Sequence, residues 1–251
     1  TLIIGKRYSS ADLAYYDRGQ YYPNAAMRGL YDTISSVMLP VLSKEQDNKE
    51  QLKKSVEQSV SLSVYMISPL FVGLAAVADL FVLLLLTERW APSIPFLRLF
   101  CIYQLAFPIY GIMRQSLYAI GNSAAVLKLE IIRGMLFMVA IITGCLISPF
   151  VIAITTSVAL YITTFIYVLF VHKYTGFNLK KVLKNILLTG LQCLIMYVFI
   201  MLLNRLSISK LLLLIIDVLV GAGIYIGLSI LLRNESFAFL KKYARTIMKR
   251  K

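Results

Sequence analysis

Residues 209–232 read SKLLLLIIDVLVGAGIYIGLSILL, and between Lys210 and Arg233 the only charge is Asp217. A run of this kind reaches the roughly 20 apolar residues needed to cross about 30 Å of hydrocarbon. Working back from it, comparable segments lie at 24–42, 59–86, 94–120, 125–147, 149–171 and 183–203. In lipid a backbone must satisfy its own hydrogen bonds, so segments of this length are helices. The fold class is therefore all-α, a polytopic transmembrane helical bundle of about seven spans. Thr1-Leu2-Ile3-Ile4-Gly5 reads as the last turn of one more helix, so the chain is expected to be the C-terminal part of a longer protein.

Composition agrees. Hydrophobic residues make up 59% and charged residues 15%, against about 25% charged in an ordinary soluble domain. The net charge of +14 would suggest nucleic acid in a soluble protein. Here the cations sit in loops and in the tail, which fits anionic membrane lipid instead. No nucleic-acid partner is expected. Cys101, Cys145 and Cys193 lie far apart inside apolar segments and His172 is the only histidine, so neither a metal site nor a cofactor is expected. No nucleophile elbow, phosphate loop or paired carboxylate appears, and no catalytic residue is assigned.

The cations also set orientation. Lys44, Lys49, Lys53 and Lys54 fall in one gap between spans, and Lys173, Lys180, Lys181 and Lys184 in another. Residues 233–251 carry Arg233, Lys241, Lys242, Arg245, Lys249, Arg250 and Lys251. The positive-inside rule places these segments, with 121–128, in the cytoplasm. This divides the chain into a membrane lobe, 1–232, and a basic amphipathic cytoplasmic tail, 233–251. Residues 5–22 then face outward, with Trp90 and the tyrosines at 15, 16, 21 and 22 at the outer interface. The 59–86 segment must cross once, with 79–87 a short helix at that outer face.

The first three spans hold most of the polar residues and the prolines Pro40, Pro69 and Pro108, which are hinge candidates. Arg28 and Asp32 lie four apart on one helical face. An arginine at mid-bilayer costs about 2.5–3.5 kcal/mol on insertion scales, so such residues should border water or protein. Arg28, Asp32, Arg98, Arg114 and Gln115 are therefore the candidate substrate pathway. The alternatives are a structural Arg28–Asp32 pair, and headgroup contacts for Arg98 and Arg114. Glu130 and Arg133 are expected to pair with each other. Gly223-x-x-x-Gly227 suggests close helix packing, with Asp217 a buried polar contact of that interface.

Ile4-Gly5-Lys6 with Tyr8-Ser9-Ser10-Ala11-Asp12-Leu13-Ala14-Tyr15-Tyr16-Asp17-Arg18-Gly19 resembles the segment after the seventh helix of polysaccharide flippases. These are the Wzx-like transporters of the multidrug/oligosaccharidyl-lipid/polysaccharide (MOP) exporter superfamily. The resemblance continues in Val37-Met38-Leu39-Pro40-Val41-Leu42-Ser43, in Pro69-Leu70-Phe71-Val72-Gly73-Leu74, in Leu85-Leu86-Thr87-Glu88-Arg89-Trp90 and in Leu117-Tyr118-Ala119-Ile120-Gly121-Asn122. It covers about residues 1–135. It implies the C-terminal lobe of a two-lobed carrier, the end of helix seven through helix fourteen. It also implies transport of undecaprenyl-pyrophosphate-linked repeat units (O-antigen, capsule or exopolysaccharide) from the inner to the outer leaflet of the bacterial cytoplasmic membrane. Alternating access, coupling to an H⁺ or Na⁺ gradient, and a polysaccharide polymerase and chain-length machinery as partners come with the same resemblance. A multidrug or lipid II exporter of the superfamily, a membrane polymerase or ligase, and a non-catalytic scaffold are the competing readings.

Overall fold

A computed structural model describes residues 7–45, 48–205 and 208–248, with side chains described outside 32–41 and 242–248. The long elements among them are α1 (Ser10–Lys44), α2 (Lys49–Ala76), the short α3 (Ala78–Leu85), a 3₁₀ turn (Glu88–Ser93), α4 (Ile94–Ala119), α5 (Ser123–Cys145), α6 (Pro149–Thr175), α7 (Leu179–Leu203), α8 (Lys210–Leu231) and α9 (Glu235–Met248). Five of these segments are long and apolar enough to cross a membrane: α2, α4 with its 3₁₀ turn, α6, α7 and α8. α1 and α5 have the length, and each carries more charge, with Lys128, Glu130 and Arg133 all in α5.

The helices start where side chains can meet their free N–H groups. Ser9 and Asp12 form a reciprocal capping box at α1. Asn48, Asn122, Ser148 and Asn178 cap α2, α5, α6 and α7. Gly121 and Gly176, at φ 77° and 67°, close α4 and α6 in the left-handed region that glycine enters without a steric cost.

Two boundaries differ from expectation. α1 begins at Ser10, so most of the expected outward loop 5–22 is helix. The capping box starts it, and packing extends it: Tyr16 meets Phe96 and Phe100 edge-on at 5.8 and 5.3 Å. α2 begins at Lys49, which shortens the expected 43–57 loop. Leu52, Val56 and Val60, four apart, are buried with Leu42 and carry the helix through the lysines. The expected break in 59–86 is present, since α2 stops at Ala76 and α3 follows after Val77.

α4 is the central helix and touches α1, α2, α5 and α6, while α7 packs on α2 and α8. α1 and α4 run parallel. Gly19 lies against Phe96 and Leu97, and twelve residues on Tyr31 lies against Gly111. A Cβ at either glycine would overlap its neighbour, so both are sites of close approach. Leucines and isoleucines of α5, α7 and α8 stay exposed, Leu219 at 67%, which suits lipid contact.

The basic gaps converge on one end of the bundle. Leu42, Ala119 and Phe177 share a core cluster. Glu57 on α2 accepts the Asn178 N–H at 2.7 Å and pairs with Lys181 at 3.6 Å. Lys54, Lys181 and Glu235 line one pocket, so the start of α9 lies at that end too. Asn234 also donates to Gln192 at 3.2 Å, which docks the tail on the bundle.

Pro69 and Pro108 lie inside continuous helices. A proline removes the N–H that would serve the carbonyl four residues back. At Pro69 that carbonyl is Tyr65, and the Tyr225 hydroxyl of α8 donates to it at 2.7 Å. Pro40 lies in α1, and its side chain is outside the described set.

Candidate functional site

Asn24, Arg28 and Tyr31 are spaced i, i+4, i+7 on α1 and so share a face. Asn24 accepts from Gln104 of α4 at 2.6 Å, and Tyr31 accepts from Arg114 at 3.1 Å and from Gln115 at 3.4 Å. Gly111 opens the space for the Tyr31 ring. Parallel packing of α1 on α4 thus turns two sparse sets of polar residues into one band.

The band meets a second cluster near the end where the basic gaps gather. Glu130 of α5 accepts from Tyr110 at 2.5 Å, from Tyr167 of α6 at 2.9 Å and from Arg133 at 2.7 Å. Arg114 and Arg133 both lie over the Tyr110 ring, at 5.5 and 5.8 Å, a cation–π distance. Two guanidiniums and one carboxylate leave the cluster at 2 − 1 = +1. The Nε of Arg114 is buried without a hydrogen-bond partner, and so is the side-chain oxygen of Gln104. A cationic centre with an unmet donor at membrane depth can hold an anion, because desolvation strengthens the attraction.

The expected pathway residues therefore divide. Arg114 and Gln115 belong to the band. Arg28 is exposed on the same face of α1, one turn from Tyr31, and makes no ion pair among the described residues. The Asp32 side chain lies outside the described residues. Arg98 is elsewhere, about 24 Å from Arg114 along α4 at 1.5 Å per residue. It pairs with Asp79 of α3 and donates to the last-turn carbonyl of Ala75 at 3.3 Å, where it fastens α3 to the end of α2.

The Glu130–Arg133 pair is present as expected, and its role as a hub was missed. Its signal was an acid and a base three apart at the head of an apolar span. The tyrosines that complete it, Tyr110 and Tyr167, come from other helices and show no local sign. The Gly223–Gly227 expectation does not hold within the chain, since a Cβ at either position would meet nothing within 4 Å. The close approach on α8 is at Gly221, against Ile200. Asp217 is buried, as expected, and both its oxygens lack a partner. Among the described residues no group of three His, Cys, Asp or Glu could hold a metal.

A family described as polysaccharide biosynthesis protein matches residues 1–95. An uncharacterized membrane protein in the cps region of Klebsiella pneumoniae is 35% identical over 89 residues, 36% of this chain and 17% of that protein. The lipopolysaccharide biosynthesis protein WzxC of Escherichia coli K12 is 29% identical over 111 residues, 44% of this chain and 23% of that protein. The chain thus aligns with less than a quarter of either relative's length. A structure of the lipid II flippase MurJ, in an inward closed conformation, superposes on 88% of this chain and 47% of its own, with a TM-score of 0.69 and 20% identity. That likeness establishes the shared helical fold. The match over 1–95 and the two relatives make the first part of this chain similar to polysaccharide biosynthesis proteins.

Proposed function

We propose that residues 1–232 form one lobe of a carrier that moves undecaprenyl-pyrophosphate-linked oligosaccharide repeat units from the inner to the outer leaflet. Residues 233–251 form its cytoplasmic surface tail. A pyrophosphate with a polar glycan cannot enter hydrocarbon unaided, so the carrier must offer cations at depth while the prenyl tail stays in lipid. The observation that carries the reading is the Arg114–Tyr110–Arg133 cluster with its single carboxylate, Glu130. Exposed Arg28 lies one turn from the Tyr31 that Arg114 touches and is the first contact for phosphate or glycan. Arg114 and Gln115 form the wall behind it.

The convergence of the basic gaps supports a cytoplasmic C-terminus under the positive-inside rule. Alternating access against a second lobe, driven by an H⁺ or Na⁺ gradient, and work beside a polymerase and chain-length machinery complete the proposal. The described connections between the long helices, the longest being 77–93 with α3 and the 3₁₀ turn, are too short to hold a soluble catalytic domain, which favours a transporter over an enzyme.

The test is export in cells. Arg28→Ala in the full-length protein should lower surface polysaccharide at unchanged protein level. Lipid-linked repeat units should then accumulate on the inner leaflet. Normal export by that variant would remove Arg28 from the pathway, and normal export by Arg114→Gln as well would remove the band.

A further inference from the structure

Away from this band, α2, α3, α7 and α8 enclose a groove of about 510 Å³. Its walls are apolar, with Phe81, Met196 and Val218 among them, and Gly73 and Gly221 add no side chain to the space between them. One acid lines it. Asp217 is 0% exposed, and among the described residues neither carboxyl oxygen has a hydrogen-bond partner and no lysine, arginine or histidine lines the groove. Among the described residues the ion pairs are Arg98–Asp79, Arg133–Glu130 and Lys181–Glu57, so none supplies the missing cation.

We propose that this groove is a binding site for a lipophilic amine, its ammonium seated on Asp217 and its apolar body along α2 and α8. The volume falls within the range of small-molecule sites, about 300–1,000 Å³. The walls suit an apolar body, and the acid selects the head. An ammonium offers both charge and donors to two unmet acceptors, whereas a neutral hydroxyl would leave the charge uncompensated. An anionic head would be repelled. Asp217 is the eighth residue of α8, about 10 Å along the helix from its start. That depth favours a free amphiphilic amine over a lipid headgroup, which stays at the interface. The site is separate from the Arg114 band and does not depend on the flippase reading.

The test uses the full chain in phosphatidylcholine nanodiscs and a fluorescent amine, dansylcadaverine. Its control is the dansyl pentylamide that lacks the terminal amine. Binding is read by polarisation. The amine should bind at least tenfold more tightly than the control, and dodecylamine should displace it. Asp217→Asn should lose that tenfold advantage, and Asp217→Glu should keep most of it. Equal binding of the two compounds, or an unchanged preference in Asp217→Asn, would overturn the proposal. A second measurement needs no variant. Dicyclohexylcarbodiimide adds to a protonated carboxyl that it reaches through an apolar groove, and the adduct rearranges to an N-acylurea with no leaving group, so the peptide bearing Asp217 gains the reagent's full mass. N,N-Dimethyldodecylamine, a tertiary amine that cannot capture the activated carboxyl as an amide, should suppress that adduct, and an adduct that forms equally in its presence would overturn the assignment.

Discussion

Replacing Tyr225 by phenylalanine removes one hydroxyl and leaves the ring in place against Tyr65, whose centroid is 5.1 Å away. The hydroxyl donates at 2.7 Å to the Tyr65 carbonyl, which Pro69 deprives of its helical partner. A buried acceptor left unmet costs about 1–3 kcal/mol, while polar contacts within membranes average about 0.6 kcal/mol and reach about 1.7. The site is buried, so we expect a loss of about 1 kcal/mol. Pro69→Ala restores a backbone N–H to that carbonyl. In the Pro69→Ala background, Tyr225→Phe should therefore cost under about 0.5 kcal/mol, within the scatter expected of independent sites. The double-mutant cycle is measured by reversible unfolding of the chain in mixed detergent micelles, followed by circular dichroism. Equal cost of Tyr225→Phe in both backgrounds would refute the claim that the tyrosine substitutes for the missing amide.

Gly111→Ala should push the Tyr31 ring off α4, because a Cβ there would overlap it. Overpacking of this kind costs about 1–3 kcal/mol, and thiol labelling of Arg28→Cys should change with it. Glu130→Ala leaves Tyr110, Tyr167 and Arg133 without their shared acceptor; with both tyrosines buried, a loss of about 1–3 kcal/mol is expected for unmet donors, read as reduced yield of folded protein. Asp79→Asn breaks a half-exposed ion pair and should cost no more than about 1 kcal/mol, with export unchanged. Glu57→Ala removes the acceptor for the Asn178 N–H and the partner of Lys181, and faster hydrogen exchange at the start of α7 should report it.

The helices were legible because hydropathy and helical rise act locally. The 209–232 run became α8 almost residue for residue, and the break near residue 77 followed from the need for a single crossing. The starts of α1 and α2 were less legible. Polar residues such as Lys53 and Asp17 read as loop, and only packing of Leu52, Val56 and Tyr16 on distant helices keeps those stretches wound. The candidate site divides in the same way. Arg114 and Gln115 stood out as polar residues in an apolar run. The tyrosines that hold them did not, since Tyr31, Tyr110 and Tyr167 are ordinary residues for a membrane helix and gain their role from four helices meeting. Arg98 carried the same signal as Arg114, and its partners are Asp79 and the Ala75 carbonyl. Residue type at depth marks a cost, and only the neighbours reveal what offsets it.

The paired glycine contacts between α1 and α4 restrict how this lobe can deform. Gly19 and Gly111 interlock the two helices at points twelve residues apart on α1, and a rod clamped twice can neither pivot nor slide on its mate. Any conformational cycle must then carry both helices as one plank, so that Arg28 and Arg114 travel together and the geometry between them survives the stroke.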